Sequence, residues 1–262
     1  MTETRGAPVV VDVSLVPSAA AVAAGRVLIV VDQIRASTTI TAALDLGCAE
    51  LLLAGDVATA RRLRGSSDRL LAGEQLAQKP PDFDFDNSPT ELARADIRGR
   101  SLVLCTTNGT AVVDRLRAAD HLLIGCLRNA RAVAATALAL AGADGGSREI
   151  TVVCAGREGR FVLDDAVAAG VIAARIAEQA GDAHIGVTLT DGAQAAIRLW
   201  SSFPDLLTAM TASDGGHTLR RIGCPEDIGF CAEEDVSQTV PMLVAGPDLR
   251  IVAAASAPDI SG

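Results

Sequence analysis

Short apolar runs recur along the chain, each ending in a polar or glycine-containing loop. They are "VLIVVD" ending at Asp32, "ELLLAG", "RLLAG", "SLVLC", "HLLIGC" and "EITVVC". Between them lie "TTITAALDLG", "DVATARRLR", "NARAVAATALALA" and "DDAVAAGVIAARIAEQA", all rich in Ala and Leu. A short continuous apolar run bounded by turn residues reads as a strand buried on both faces, and the longer stretches read as helices. Their alternation predicts an α/β chain with a largely parallel sheet covered on both faces. In such sheets ligands bind outside the carboxyl ends of the strands.

Composition supports this architecture. Apolar residues make up 49% of the 262 residues, but only 2% are aromatic and Tyr is absent, so small aliphatic side chains must fill the interior. We expect a single domain over residues 1–262; "AGADGGSRE" at 141–149 is the best break, either a subdomain boundary or a surface loop. The C-terminal third reads as helices followed by strands around "DIGFCA" and "TVPMLVAG".

The net charge of −9, without any Lys/Arg run, argues against nucleic acid and anionic membranes, which both need a basic footprint. An anionic ligand would have to be held locally by a few Arg side chains and backbone N–H groups, and a divalent cation would help. The opening "MTETRGAPVVVDVSLV" has no signal-peptide pattern, and no apolar run approaches membrane-spanning length, so a cytoplasmic protein is expected. The six cysteines form no CxxC pair, which points to reduced, buried thiols.

Four strand tips carry candidate chemistry. In "VLIVVDQIRASTTI", Asp32 ends a strand, Arg35 follows, and Ser37 and Thr38 open a helix, an arrangement suited to an anion. The structural alternative makes Ser37 an N-cap and Asp32 a turn former. Glu74 ends the next such strand, in "LLAGEQLAQKPPDFDFDNSPTEL", and a carboxylate there can share a cation with Asp32. Ser88, Pro89 and Glu91 fit a capping box. "DFDFDNS" lacks the preceding strand that an aspartyl-nucleophile phosphatase needs, and that reading is set aside. In "SLVLCTTNGTAVV", Asn108 and Gly109 let backbone N–H groups approach a ligand, with Thr110 adding a hydroxyl. In "EITVVCAGREGRFVLDDAV", Arg157, Glu158 and Arg160 share a Gly-flanked loop, and Asp164 and Asp165 open a helix. Cys154 and Arg160 also match the C-x5-R spacing of cysteine-dependent phosphatases, in which a thiolate attacks phosphorus.

Taken in order, "VDQIRASTTI", "GEQ", "FDNSP", "TTNGT" and "CAGREGRFVLDDAVAAG" resemble the 2-phosphosulfolactate phosphatase family from about residue 27 through "DIGFCA". The resemblance implies a three-layer α/β/α fold with a mixed sheet, and Mg²⁺-dependent hydrolysis of a phosphate monoester of a small sulfonated hydroxy acid. Its motifs fall on Asp32, Arg35, Glu74, Asn87, Asn108, Gly109, Arg157, Glu158 and Asp165. We expect Asp32, Glu74 and Asp165 around the metal, with Glu158 as a further catalytic carboxylate. Arg35, Arg157, Arg160, Ser37, Thr38, Asn87, Ser88, Asn108, Gly109 and Thr110 are expected to bind a small anionic phosphorylated substrate. Oligomeric state is left open, a homo-oligomer included. Two positions depart from the family pattern: Gln75 stands where Arg usually follows Gly-Glu, and Asp86 where Gly is usual. That shift of two charge units predicts poorer handling of 2-phosphosulfolactate. It also keeps open a non-catalytic binder of a phosphorylated metabolite, while the C-x5-R spacing keeps a Cys154-dependent phosphatase as the other alternative to the metal-dependent one.

Overall fold

The computed structural model describes residues 7–17, 26–142 and 148–254. Its strands, in chain order, are β1 (Val9–Ser14), β2 (Val27–Val31), β3 (Glu50–Ala54), β4 (Leu70–Gly73), β5 (Ser101–Cys105), β6 (His121–Ile124), β7 (Glu149–Cys154), β8 (Val187–Leu189), β9 (Pro241–Val244) and β10 (Leu249–Ala253). The helices are α1 (Ala36–Asp45), α2 (Val57–Arg64), α3 (Pro89–Leu92), α4 (Asn108–Leu116), α5 (Ala130–Gly142), α6 (Leu163–Asp182), α7 (Asp191–Ser201), α8 (Leu206–Ala212), α9 (Asp214–Ile222) and α10 (Glu226–Cys231). All six apolar runs singled out in the sequence are strands. The suggested break at 141–149 falls largely on residues 143–147, outside the described residues.

The strands form one mixed, mostly parallel sheet in the order β4-β5-β3-β10-β9-β6-β2-β7-β1-β8. Among the described residues pairing is antiparallel only at β3/β10, β10/β9 and β9/β6. Three reversals in succession leave the block β4-β5-β3 running opposite to the block β6-β2-β7-β1-β8. In a flat sheet the carboxyl ends of these blocks would lie at opposite edges. Here the tips meet: Asp32, just after β2, accepts from the Gly109 N–H just after β5, across a junction where β9 and β6 share a single register pair, Leu123 with Met242.

The alternation of side chains along each strand shows how the layers are filled. On β2, Val27, Ile29 and Val31 pack with α5 and α6 in one core. Leu28 and Val30 face the other way, into a core shared with Leu51 and Leu53 of β3, Leu102 and Leu104 of β5, and residues of α1 and α4. The far face of β3 and β5, with Leu52 and Val103, is covered by α2. Helices therefore lie on both faces, and the two sheet blocks enclose α1 and α4 between them. Small residues allow the close packing: a Cβ on Gly170 of α6 would stand 2.3 Å from the Ala196 carbonyl oxygen of α7.

The segment "DIGFCA", expected as strand, is helix α10. Its first turn carries Glu226 and Asp227 directly after Pro225, a favourable combination at a helix N-terminus, and the buried Asp227 anchors that turn through partners described below. Strand β1 was not among the expected elements.

Candidate active site

The carboxyl ends of β2, β4, β5 and β7 and one face of α9 surround a cleft of about 260 Å³. Each strand tip supplies a polar residue. Asp32, Arg35, Glu74, Asn87, Asn108, Arg157 and Glu158 all line it, along with Thr106, Thr107, Thr218 and Arg221.

Asp32 joins the two sheet blocks. Its Oδ2 accepts from the Gly109 N–H at 2.9 Å, in the first turn of α4, where free N–H groups and the helix dipole favour a carboxylate. Glycine is required here by close approach, since a Cβ on Gly109 would stand 2.7 Å from that oxygen. The Asp32 N–H donates to Ser37 Oγ at 2.8 Å. Burial and the nearby Asp164 raise the Asp32 carboxyl from 3.8 to about 6, against the lowering effect of the Gly109 and Ala36 N–H groups and Arg157.

Two further carboxylates stand behind it. Asp165 is buried and accepts from the Gln33 N–H and the Gly156 N–H, both at 2.8 Å. It thereby ties the tips of β2 and β7 together. Burial, Asp164 and Asp32 hold its pKa well above the ordinary carboxylate range. Asp164 is also buried, its pKa raised chiefly by burial, and its Oδ1 has no hydrogen-bond partner among the described residues. Asp165 is not part of the cleft lining.

Glu74 is held by its own loop and by the neighbouring strand tip. Its Oε2 accepts from the Ala77 N–H at 2.6 Å and its Oε1 from Thr107 Oγ1 at 3.4 Å. Two tight turns flank the cleft. Gln75 and Gln78 exchange backbone hydrogen bonds at 2.9 and 3.1 Å, and so do Arg157 and Arg160. Both central residues of each turn have positive φ: Leu76 and Ala77 in the first, Glu158 and Gly159 in the second. This is the hairpin-turn geometry that favours Asn and Gly, so the three non-glycine residues carry backbone strain. The second turn projects Arg157 inward, and the Glu158 N–H donates to Asn108 Oδ1 at 3.3 Å.

The arginines differ in how their charge is used. Arg35 is buried, donating to Asp227 Oδ2 at 2.7 Å and to Asp86 Oδ1 at 3.4 Å. Burial opposes its charge, but Asp86 and Asp227 more than offset this, and its pKa is raised. Asp227 also accepts from Ser88 Oγ at 2.9 Å and from Thr90. Arg157 has a neutral partner, Thr218 Oγ1, at 3.2 Å.

The remaining expected site residues lie apart from the cleft. Ser37 is turned back to Asp32, and Thr38 donates to the Gln33 carbonyl at 2.9 Å. Thr110 pairs with Thr106 at 2.8 Å. Ser88 caps α3 by accepting from the Glu91 N–H, while Glu91 accepts from the Asp86 N–H, so the capping box is only half formed. Arg160 is exposed. Gln75 and Asp86, the two departures from the family pattern, are absent from the cleft lining; Gln75 is exposed in its turn and Asp86 pairs with Arg35.

Cys154 is fully buried in the core. Burial, with Asp165 and Asp164 nearby, raises its pKa well above 9, the reverse of what a thiolate nucleophile needs. The Cys154-dependent reading is corrected accordingly. Asp227, Gln33, Thr218 and Arg221 were missed as site residues. An acidic residue just after Pro225-Glu226 was a usable signal for the first; the others carried none.

Among the described residues no group of three His, Cys, Asp or Glu is arranged to hold a metal ion. The donor set does fit Mg²⁺ in its common substrate-assisted mode, where one or two carboxylates, substrate oxygens and water complete the coordination. Asp32 and Glu74 line the cleft with hard oxygens. The third carboxylate expected at the metal, Asp165, has both oxygens engaged by backbone N–H groups. Among the described residues no helix is long and apolar enough to cross a membrane.

Comparison with known proteins gives a consistent answer. Residues 13–246 match the family described as 2-phosphosulpholactate phosphatase. A Deinococcus radiodurans protein named probable 2-phosphosulfolactate phosphatase is 40% identical over 225 residues, covering 85% of this chain and 90% of its own. Proteins of the same name are 40% identical in Thermus thermophilus, over 83% of this chain and 87% of theirs, and 33% identical in Thermotoga maritima, over 84% and 90%.

Proposed function

Because the chain belongs to the 2-phosphosulfolactate phosphatase family, and is thus a phosphoric monoester hydrolase, we propose that it cleaves 2-phosphosulfolactate to sulfolactate and phosphate in this cleft with Mg²⁺. The observation that carries this reading is the meeting of Asp32 and Arg157. A carboxylate tuned to about 6 shares a cleft with a guanidinium whose only hydrogen bond among the described residues is to a neutral hydroxyl. Such a pair suits phosphoryl transfer, in which positioning and electrostatic stabilisation supply most of the catalysis.

Arg157 takes the phosphoryl oxygens through its planar fork. Asn87 and Asn108 offer neutral amide groups beside it. Asp32, largely ionised at pH 7, orients the attacking water towards phosphorus as the ester P–O bond breaks. Asp165 keeps the β2 and β7 tips in register and acts as a positioning residue. Mg²⁺ would be held by Asp32 and Glu74, and would supply neutralisation of phosphoryl charge and acidification of water.

The test is phosphate release from 2-phosphosulfolactate after exhaustive chelation and again after Mg²⁺ addition. Activity restored only by the cation, and lost in Asp32→Asn, supports the reading. Full activity in chelator removes Mg²⁺ from it, and no release under either condition from a folded protein rejects the phosphatase itself in favour of a non-catalytic binder.

A further inference from the structure

An ester bearing phosphate, carboxylate and sulfonate brings three anionic groups into a cleft that already contains Asp32, Glu74 and Glu158. The cations available to them are therefore decisive. Arg35 is committed to Asp227 and Asp86. Arg157 is placed beside Asp32, where the phosphate must react. Arg221 also lines the cleft, and among the described residues it makes no hydrogen bond or ion pair.

The position of Arg221 follows from α9. Thr218 and Arg221 are three residues apart, so they lie on neighbouring turns of one helix surface. Thr218 binds Arg157, which places Arg221 about one turn farther along α9 from the phosphate. Its side chain is exposed, at the mouth of the cleft. The adjoining wall is apolar, built from Leu219, Ile222 and Ile34. A methylene arm can lie against that wall, and in the proposed substrate the sulfonate is carried on a methylene arm, one bond farther from the phosphate oxygen than the carboxylate is.

We infer that Arg221 binds the substrate's sulfonate and sets the preference of the cleft for a sulfonated phosphoester over its unsulfonated counterpart. The inference rests on the phosphatase reading above and names a specificity residue within it. Arg221 takes no part in breaking the P–O bond. Its loss weakens binding of ground state and transition state alike and appears in KM.

The experiment compares 2-phosphosulfolactate with 2-phospholactate, which keeps the phosphate and carboxylate but lacks the sulfonate. In Arg221→Gln, KM for 2-phosphosulfolactate is expected to rise about tenfold or more with kcat within about twofold, while 2-phospholactate kinetics stay nearly unchanged. Arg220→Gln, an exposed neighbour outside the cleft lining, should leave both substrates unaffected. An equal loss on both substrates, or no loss on either, overturns the assignment. If the unaltered protein hydrolyses neither ester, the phosphatase reading fails, and calorimetry with sulfolactate then decides about Arg221. Binding weakened about tenfold or more in Arg221→Gln upholds the sulfonate site; equal binding, or none to either protein, overturns it.

Discussion

Asp32→Asn should make the protein more stable at neutral pH while abolishing its activity. The carboxyl is raised from 3.8 to about 6 by burial and by Asp164, so the native state resists its ionisation. At 1.36 kcal/mol for each tenfold change in proton affinity, that rise corresponds to about 3 kcal/mol. The sign follows from proton linkage. Between pH 3.8 and 6 the native state holds a proton that the unfolded chain has released, so stability falls as pH rises through this window. Below it the penalty is absent, and above it the penalty is complete. Asn occupies the same space, can still accept from the Gly109 N–H, and never ionises. Part of the Asp32 side chain faces the cleft, so a gain of about 2–3 kcal/mol at pH 7.5 is the reasonable expectation. Urea unfolding of parent and variant from pH 4 to 8, in chelator, reads the difference, because groups remote from Asp32 cancel and the loss of its charge also eases ionisation of Asp165, which acts in the same direction. The two curves should converge near pH 4, diverge as pH rises to 6 and keep a constant separation above it. Mg²⁺ should then stabilise the parent more than the variant if Asp32 is a ligand. A variant that is less stable at pH 7.5, or offset by a constant amount at every pH, would refute the claim that Asp32 is held against its ionisation.

Three other substitutions probe different parts of the site. Arg157→Ala should lower kcat/KM about 30-fold, equivalent to about 2 kcal/mol of transition-state binding, with Lys restoring only part because it lacks the fork; unchanged steady-state kinetics would make Arg157 a bystander. Asp227→Ala leaves the buried Arg35 without its 2.7 Å partner, so chemical denaturation should show a loss of about 3–5 kcal/mol, and a loss below about 1 kcal/mol would mean that Asp86 alone suffices to hold Arg35. Leu76→Gly relieves a side chain held at φ 54 with 90% of its surface exposed, and the thermal midpoint should rise by an amount equivalent to about 0.5–1 kcal/mol; a fall would show that Leu76 makes contacts worth more than its backbone strain.

The strand and helix alternation was legible because central parallel strands, buried on both faces, must be continuous apolar runs such as "VLIVV". The reversal of one sheet block was not legible. It depends on β9 and β10 inserting between strands that precede them by more than a hundred residues, and nothing local in "PMLV" encodes its neighbours. "DIGFCA" misled because Ile228 and Phe230 alternate with polar or small residues, while the buried interactions that define the helix come from Arg35, Ser88 and Thr90. The polar strand tips were readable as a group, and Asp32, Glu74, Asn108 and Arg157 converge on one cleft. Their neighbours Ser37 and Thr38 could not be sorted from them by sequence, since a hydroxyl at a helix start serves a ligand or its own backbone equally well. Here both serve the backbone. Arg221 sits in "GGHTLRRI", which reads as an ordinary surface helix, and only the fold brings it to the cleft.

The most direct test of the central claim is the rate of phosphate release from 2-phosphosulfolactate at pH 7 with Mg²⁺, measured beside Asp32→Asn and Arg157→Ala. The account predicts a kcat/KM of about 10⁴ M⁻¹ s⁻¹ or more for the parent, with a deep loss in both variants and sulfolactate formed in equal amount to phosphate. Efficient release that survives both substitutions would place the chemistry outside this cleft and contradict the account.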